Sequence, residues 1–386
     1  MTRALLALLL ILGQLPAAAG ARRRAVQHPV APVASAALVA AAEQAVQAAM
    51  KVGVPAVQVA VSQRGVIVYS QAFGVTDKDT AAAATPRTVS QIASLTKQFT
   101  SAGILRLAER GALSLDDRIE KYVPEFNPHG RTITLRQLLN HTSGLRREWF
   151  PPTPPFPSLT SPVTHEQIIE GLNSGQQFDF PAGTYWAYSN AAYVLLGFAI
   201  ESITGMPYAD FIRTEFVLPL GLIDTGLCGT SGLPVPEGYG LTVGGWAKME
   251  PLHATVVWSA GGLCSTATDL ARWSHFLATG HVMLPDSYAT MTTPNTVVPN
   301  SYALGVWSGK LLGHPVVWHG GDIYGFQSHL LYLPEQDIAI AVITNTFPGP
   351  AAASPHLVAQ AIAKAVFPAA TSSVEFLWSD WLQPVD

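Results

Sequence analysis

The sequence predicts a mixed α+β (α/β) fold: one antiparallel sheet built from both chain termini, flanked by helices, with an all-helical subdomain inserted between its halves. Three observations predict it. Apolar runs of strand length cluster near the two ends and are rare between them. The middle of the chain repeats its apolar residues at helical spacing instead. Of the 386 residues 48% are hydrophobic and 12% charged, a balance that supports one large buried core and excludes extended disorder.

Taken in order, residues 31–50 are alanine-rich with helical spacing and end at Gly53-Val54-Pro55. Residues 56–62 and 66–71 read as two strands joined by a tight hairpin at Gln63-Arg64-Gly65. A long helix is expected over 94–110, stopped by Gly111, and a short one over 135–139. Six prolines between Phe150 and Pro162 prevent regular structure and predict a wrapped surface loop. Helices follow over 191–204 and 208–216. Strand patterns return at 302–307, 316–318, 327–333 and 338–344, and a last helix covers 355–367. No internal repeat appears.

The net charge of -4, without a basic run in the body, leaves no electrostatic footprint for nucleic acid. Arg3 followed by the apolar run 4–12 and small residues at 17–21 reads as a secretory signal over residues 1–21, and so as an exported, periplasmic or secreted protein. Arg22, Arg23 and Arg24 just beyond it keep an uncleaved anchor or an organellar transit peptide open. The apolar run is too short to span a bilayer, so no stable membrane insertion is expected after cleavage. Cys228 and Cys264 could form one disulfide in an oxidising compartment, or be two small buried side chains.

Ala93-Ser94-Leu95-Thr96-Lys97 is an S-x-x-K at a helix start. Residues three apart share a helical face, so the amine can curl back to the hydroxyl. A serine hydroxyl attacks only when a base takes its proton, and a lysine serves once burial or a nearby cation lowers its pKa. Lysine is scarce here, seven residues in all, which makes this spacing more telling. Taken singly, an S-x-x-K is a common surface pair. Tyr188-Ser189-Asn190 opens the next apolar helix, where Tyr188 could share the proton and Asn190 offers both a donor and an acceptor. Alone it reads as a helix cap beside a core tyrosine. His319-Gly320-Gly321-Asp322 closes an apolar strand, and glycines there admit the close backbone approach that an oxyanion-binding edge requires. Alone it reads as a turn.

Together the three motifs resemble the serine β-lactamase and penicillin-binding superfamily, whose S-x-x-K and K-T-G motifs bracket the fold in this order. Y-x-N between them is similar to the class C β-lactamase, DD-peptidase and esterase branch. So are Gly111-Ala112-Leu113-Ser114-Leu115-Asp116-Asp117, the stretch from Ile133 to Leu145 with its His141-Thr142-Ser143-Gly144-Leu145, Pro219-Leu220-Gly221-Leu222, and Ala260-Gly261-Gly262-Leu263. The likeness runs over 37–367. It implies a β-lactamase/DD-peptidase-like serine hydrolase domain over 31–367, its sheet half from about 31–93 and 296–367 and its helical half from about 94–295, with a tail at 368–386.

The resemblance further implies an acyl-enzyme on Ser94 with Lys97 and Tyr188 moving protons, either of them as base. It also implies an oxyanion hole from the Ser94 and Asp322 N–H groups and a substrate contact at Asn190. His319 stands where β-lactamases carry lysine and Gly320 replaces threonine; a histidine is mostly neutral above ~6.5 and pairs weakly with a carboxylate. The expected activity is therefore cleavage of small esters or amides, of the esterase or D-amino-acid peptidase type, with weak β-lactamase action at most. Small-molecule ester, amide or peptide substrates are expected, with no cofactor and no metal. A penicillin-binding sensor or an acyltransferase on the same fold is the alternative. Trp149, Phe150 and Phe156 could overhang the pocket or simply pack the loop. An α/β-hydrolase would need a G-x-S-x-G, which is absent; His165-Glu166 begins an H-E-x-x-H, but Ile169 occupies the second histidine position.

Overall fold

Ser35 caps the first helix through its side chain, and from there a computed structural model describes residues 34–150, 158–229, 235–297 and 301–367. The expected export segment 1–21, the tail 368–386 with Trp378 and Trp381, and Phe156 lie outside the described residues. Helix α1 (Ala36–Lys51) leads into β1 (Ala56–Gln63) and β2 (Val66–Asp77). Their two-residue turn holds Arg64 and Gly65 at φ 51° and 73°, the left-handed pair that matches the twist of a hairpin. β2 continues through Ala72-Phe73-Gly74, which could have continued or ended it, because these residues still pair with β1, and its last residues, Val75 and Asp77, pair with the two-residue β3 (Ala82–Ala83).

After β4 (Ser90–Gln91) come α2 (Thr96–Glu109), α3 (Leu135–Leu139), α4 (His165–Leu172), α5 (Asn190–Thr204), α6 (Tyr208–Ile212) and α7 (Leu218–Leu220). A π-helical turn, Arg213–Val217, joins the last two. β5 (Gly226–Leu227), the hairpin β6 (Tyr239–Thr242) and β7 (Gly245–Lys248), α8 (Ala254–Gly261), β8 (Leu263–Ser265), α9 (Ala267–Ala278) and α10 (Pro285–Thr292) complete the insertion. The chain then returns through β9 (Trp307–Leu311), β10 (His314–Ile323), β11 (Phe326–Leu333), β12 (Ile338–Thr344) and α11 (Pro355–Val366).

The seven-stranded sheet has the order β3-β2-β1-β12-β11-β10-β9, so the first strands of the chain pair with the last, antiparallel throughout. The central strands β1, β11 and β12 are buried on both faces, and period-two alternation divides them between two cores. Val57, Val59 and Val61, with Ile338, Ile340 and Val342, face α1 and α11. Ala60, with Ala339, Ala341 and Ile343, faces the helical insertion. Each buried Val or Ile contributes about 1.5–3 kcal/mol, which is why these strands read as unbroken apolar runs.

β4, β8 and β5 form a second, three-stranded sheet, and Cys228 at its edge is disulfide-bonded to Cys264 in β8. The strand expected at 302–307 begins later: Tyr302 makes only an isolated bridge to Trp307, and β9 continues to Leu311. Among the described residues no helix is long and apolar enough to cross a membrane.

Candidate active site

Ser94 lies in a single 3-10 turn, Ala93–Leu95, ahead of α2 rather than inside the helix expected over 94–110. Ala93 has φ 47°, a left-handed conformation that costs a non-glycine residue about 1–3 kcal/mol. The turn is held from outside: Ile92 N donates to the Leu263 carbonyl at 3.0 Å and Ser328 Oγ donates to the Ile92 carbonyl at 2.7 Å. One turn on, α2 is buried almost all round, and Lys97 is wholly sealed from solvent.

Lys97 Nζ has three oxygens around it. Asn190 Oδ1 lies at 2.7 Å, the Ala260 carbonyl at 2.8 Å and Ser94 Oγ at 3.3 Å. Burial pulls the amine pKa well below its ordinary value; the Glu148 carboxylate opposes this and the Arg147 guanidinium adds to it. A neutral amine has two hydrogens, which the two short contacts take up, and its lone pair then faces the serine. The Ala260 carbonyl comes from α8, whose Trp258 sits at φ 29° and ψ -120°, a kink that turns the last turn of that helix towards Lys97.

Tyr188 packs its ring 4.7 Å from Lys97 Nζ and hydrogen-bonds Ser94. Burial pushes its phenol above the ordinary tyrosine range, and the Ser94 hydrogen bond and Arg147 only partly oppose it. The segment that carries Tyr188 is docked on the His141-Thr142-Ser143-Gly144-Leu145 loop. Ala187 N donates to the His141 carbonyl at 3.1 Å, Ser189 N to His141 Nδ1 at 3.2 Å, Ser189 Oγ to the Arg146 carbonyl at 2.8 Å, and Asn190 N to the Arg147 carbonyl at 2.7 Å. Ser189 also caps α5.

Glu148 is a site residue that no motif in the sequence marks. Its Oε1 accepts from Asn190 Nδ2 at 2.8 Å, which fixes the amide so that Oδ1 faces Lys97. Arg147 stands 3.6 Å from the same carboxylate and 5.4 Å from the centre of the Tyr188 ring. The pair directly follows a recognisable loop, yet two adjacent opposite charges read as solvated surface, so spacing alone could not single them out.

β10 brings the third motif. Its pairing with β9 stops at Trp318–Trp307, while its pairing with β11 continues to Ile323–Phe326, so residues 319–323 present one open edge to the Ser94 turn. At Gly321 any Cβ would overlap the Ile92 carbonyl oxygen and come to 2.5 Å from Ser328 Oγ and 3.0 Å from Ser94 N. Only glycine lets the strand lie this close to the nucleophile's own N–H. Gly320 is buried beside it and Asp322 follows with its side chain open to solvent.

His319 is not at the cleft surface. Its ring is sealed in the sheet: Nδ1–H donates to the Gly320 carbonyl at 2.6 Å and Nε2 accepts from Tyr302 Oη at 3.2 Å. Burial and the Lys97 charge take its pKa down to about 3, so it carries no charge with which to meet a substrate. Trp149 and Phe150 also turn inward. Trp149 is core and donates from Nε1 to the Val256 carbonyl at 2.8 Å, and Phe150 packs against the same core.

Thus Ser94, Lys97, Tyr188 and Asn190 converge from two segments, beside an open edge of a third, formed by Gly320, Gly321 and Asp322. A model of the family described as Beta-lactamase matches residues 42–364. Protein flp of Staphylococcus aureus (strain N315) is 27% identical over 320 residues, covering 76% of this chain and 60% of that protein. The chain therefore spans about three fifths of the length of the curated relatives it matches. A D-stereospecific amidohydrolase from Streptomyces sp. superposes with a TM-score of 0.70 at 26% identity, over 85% of this chain and 98% of the other. The octameric penicillin-binding protein homologue from Pyrococcus abyssi superposes with a TM-score of 0.75 at 24% identity, over 85% and 77%, a likeness of fold.

Proposed function

The chain belongs to the beta-lactamase family, and from that premise we propose that it is a serine hydrolase that cleaves small esters or amides through an acyl-enzyme on Ser94. The observation that carries the reading is the environment of Lys97: a sealed amine, its two hydrogens engaged by Asn190 and Ala260, 3.3 Å from the serine hydroxyl. Lys97 is the base in this reading, since burial favours its neutral form. Burial also keeps Tyr188 a protonated phenol, fit to pass a proton and unfit to seize one.

In the acylation step Ser94 Oγ bonds to the substrate carbonyl carbon while its proton moves to Lys97. The oxyanion is held by the Ser94 N–H and the N–H of Asp322 on the open strand edge. The bond to the leaving alcohol or amine then breaks, and that group leaves with a proton returned through Tyr188. Water repeats the sequence against the acyl-enzyme and restores the free hydroxyl. Substrates of the D-amino-acid amide or ester type are favoured by the likeness to the D-stereospecific amidohydrolase and by the neutral His319, which offers no cation to a β-lactam carboxylate.

Ser94→Ala is expected to abolish turnover of a p-nitrophenyl ester while the fold, followed by circular dichroism, is kept. Lys97→Ala should slow acylation by ~100- to 10,000-fold, the usual contribution of a general base. Unchanged turnover in the serine variant would remove Ser94 from the chemistry. Labelled penicillin that attaches to the protein and persists, with no ester turned over, would instead favour a penicillin-binding sensor.

A further inference from the structure

We infer that His141 is a positioning residue: it holds the Tyr188 phenol where a proton can pass to the leaving group. The inference deepens the acyl-transfer reading and rests on Tyr188 as the donor of that proton.

His141 grips the chain on both sides of Tyr188. Its carbonyl accepts from Ala187 N at 3.1 Å, and its Nδ1 accepts from Ser189 N at 3.2 Å. The residues before and after the tyrosine are thereby tied to one residue, which leaves the backbone between them little freedom to turn. His141 is anchored in its turn to the end of α3, where its own N donates to the Leu138 carbonyl at 3.4 Å and Thr142 N to the Gln137 carbonyl at 2.9 Å. It holds φ 61°, a left-handed backbone that few residues besides glycine, asparagine, aspartate and histidine adopt with any frequency.

The imidazole also packs on the phenol. Its centre lies 4.3 Å from that of Tyr188, 4.6 Å from that of Tyr302 and 5.2 Å from that of Tyr193. The ring is sealed from solvent, and burial holds its pKa well below the ordinary value, so it is neutral. Because Nδ1 accepts, the single ring proton sits on Nε2. Among the described residues Nε2 has no hydrogen-bond partner. A buried donor without an acceptor lowers stability, so packing alone would be served better by an apolar ring. What histidine adds here is an acceptor and a flat face on one side chain, and both are spent on the segment that carries Tyr188.

Methyl and p-nitrophenyl esters of one acid separate positioning from general damage, since p-nitrophenolate departs without a proton and methoxide does not. His141→Leu keeps the bulk and removes the acceptor. Its kcat/KM should fall by about 100-fold on the methyl ester, the result of shifting a catalytic group by about an ångström, and at least about tenfold less on the p-nitrophenyl ester. His141→Asn, whose amide oxygen can accept from Ser189 N and which tolerates the left-handed backbone, should recover part of the methyl ester loss. Tyr188→Phe should show the same bias towards the activated ester. Equal loss on both esters in His141→Leu, beside that bias in Tyr188→Phe, would overturn the inference and leave the hydrolase reading standing. Equal loss in Tyr188→Phe would overturn it together with the role of Tyr188 as proton donor. Native protein inert on the methyl ester alone would overturn the inference, and inert on both esters the hydrolase reading with it. Should the variants fail to fold, long-range proton–nitrogen NMR of the native protein decides: a His141 ring protonated on Nε2 is expected, and one protonated on Nδ1 would overturn the inference.

Discussion

At Gly321 a single hydrogen atom in place of a methyl group keeps the open strand edge clear of a steric clash with the Ser94 turn. Gly321→Ala places a methyl group against the Ile92 carbonyl, Ser328 Oγ and Ser94 N. None of these can yield cheaply, since Ser328 itself anchors Ile92 and Ser94 continues into a fully buried helix. The strand must therefore retreat from the nucleophile. Acylation of Ser94 should fall by ~100- to 1,000-fold, the loss that follows removal of one oxyanion donor, with KM for a neutral ester changed far less. Stopped-flow acylation by a chromogenic ester measures it; an unaltered rate would mean that the strand edge takes no part. The sequence pointed to Ser94, Lys97, Tyr188 and Asn190 because each motif needs a fixed spacing along one helix or turn. Glu148 lay beyond such reasoning, since its partner Asn190 is 42 residues away. His319 was legible as a residue type and illegible as an environment: nothing in the strand's pattern says that Tyr302 and the Gly320 carbonyl close around it.

The loop from His141 to Glu148 is the element on which the site turns, and Arg146 is its internal brace. Its guanidinium donates to five backbone carbonyls, those of Glu148, Trp149, Gly171, Ser174 and Gln176, at 2.5–3.0 Å. The planar fork of arginine can serve five acceptors at once, whereas a lysine has three hydrogens. Arg146→Lys should therefore leave at least two of these carbonyls without a donor, at about 1–3 kcal/mol for each buried orphan. Urea unfolding should register at least ~2 kcal/mol of lost stability. Since the Arg146 carbonyl receives Ser189 Oγ and the Arg147 carbonyl receives Asn190 N, turnover should fall with it. Full stability in the variant would show that water replaces the fork without loss. Thr134 and Gln137 form a capping box on α3, whose bounds match the short helix expected over 135–139. The docking of the loop on residues 187–190 was not readable, because it is made by backbone groups that every residue carries.

Across the whole molecule, the sheet joining both ends of the chain was readable from where the apolar runs fall, since strands buried on both faces must be apolar along their length. The β6–β7 hairpin was not readable. Its residues are largely exposed and show neither an apolar run nor a clean alternation. One consequence of so much burial is acid lability. His141, His319 and His329 are buried, and desolvation holds each imidazole below its ordinary pKa, His319 to about 3; partly buried His356, 3.3 Å from His329, is lowered to about 4. In the unfolded chain the same groups titrate near ~6.5. Between the two values the unfolded state holds more protons, so stability is full above about pH 6.5 and falls as the pH drops, by about 1.4 kcal/mol per pH unit for each histidine. Glu148 and Asp322, whose pKa values burial raises, take up protons in the folded state and oppose the trend only when the carboxylate range is reached. With four histidines acting together, a total stability of roughly 5–15 kcal/mol would be consumed within about two or three pH units. The urea midpoint should therefore decline steadily from pH 7 to pH 5, before carboxylates titrate, and His319→Gln should flatten part of that slope. A midpoint constant across this interval would mean that these rings are reached by water or already charged in the native protein.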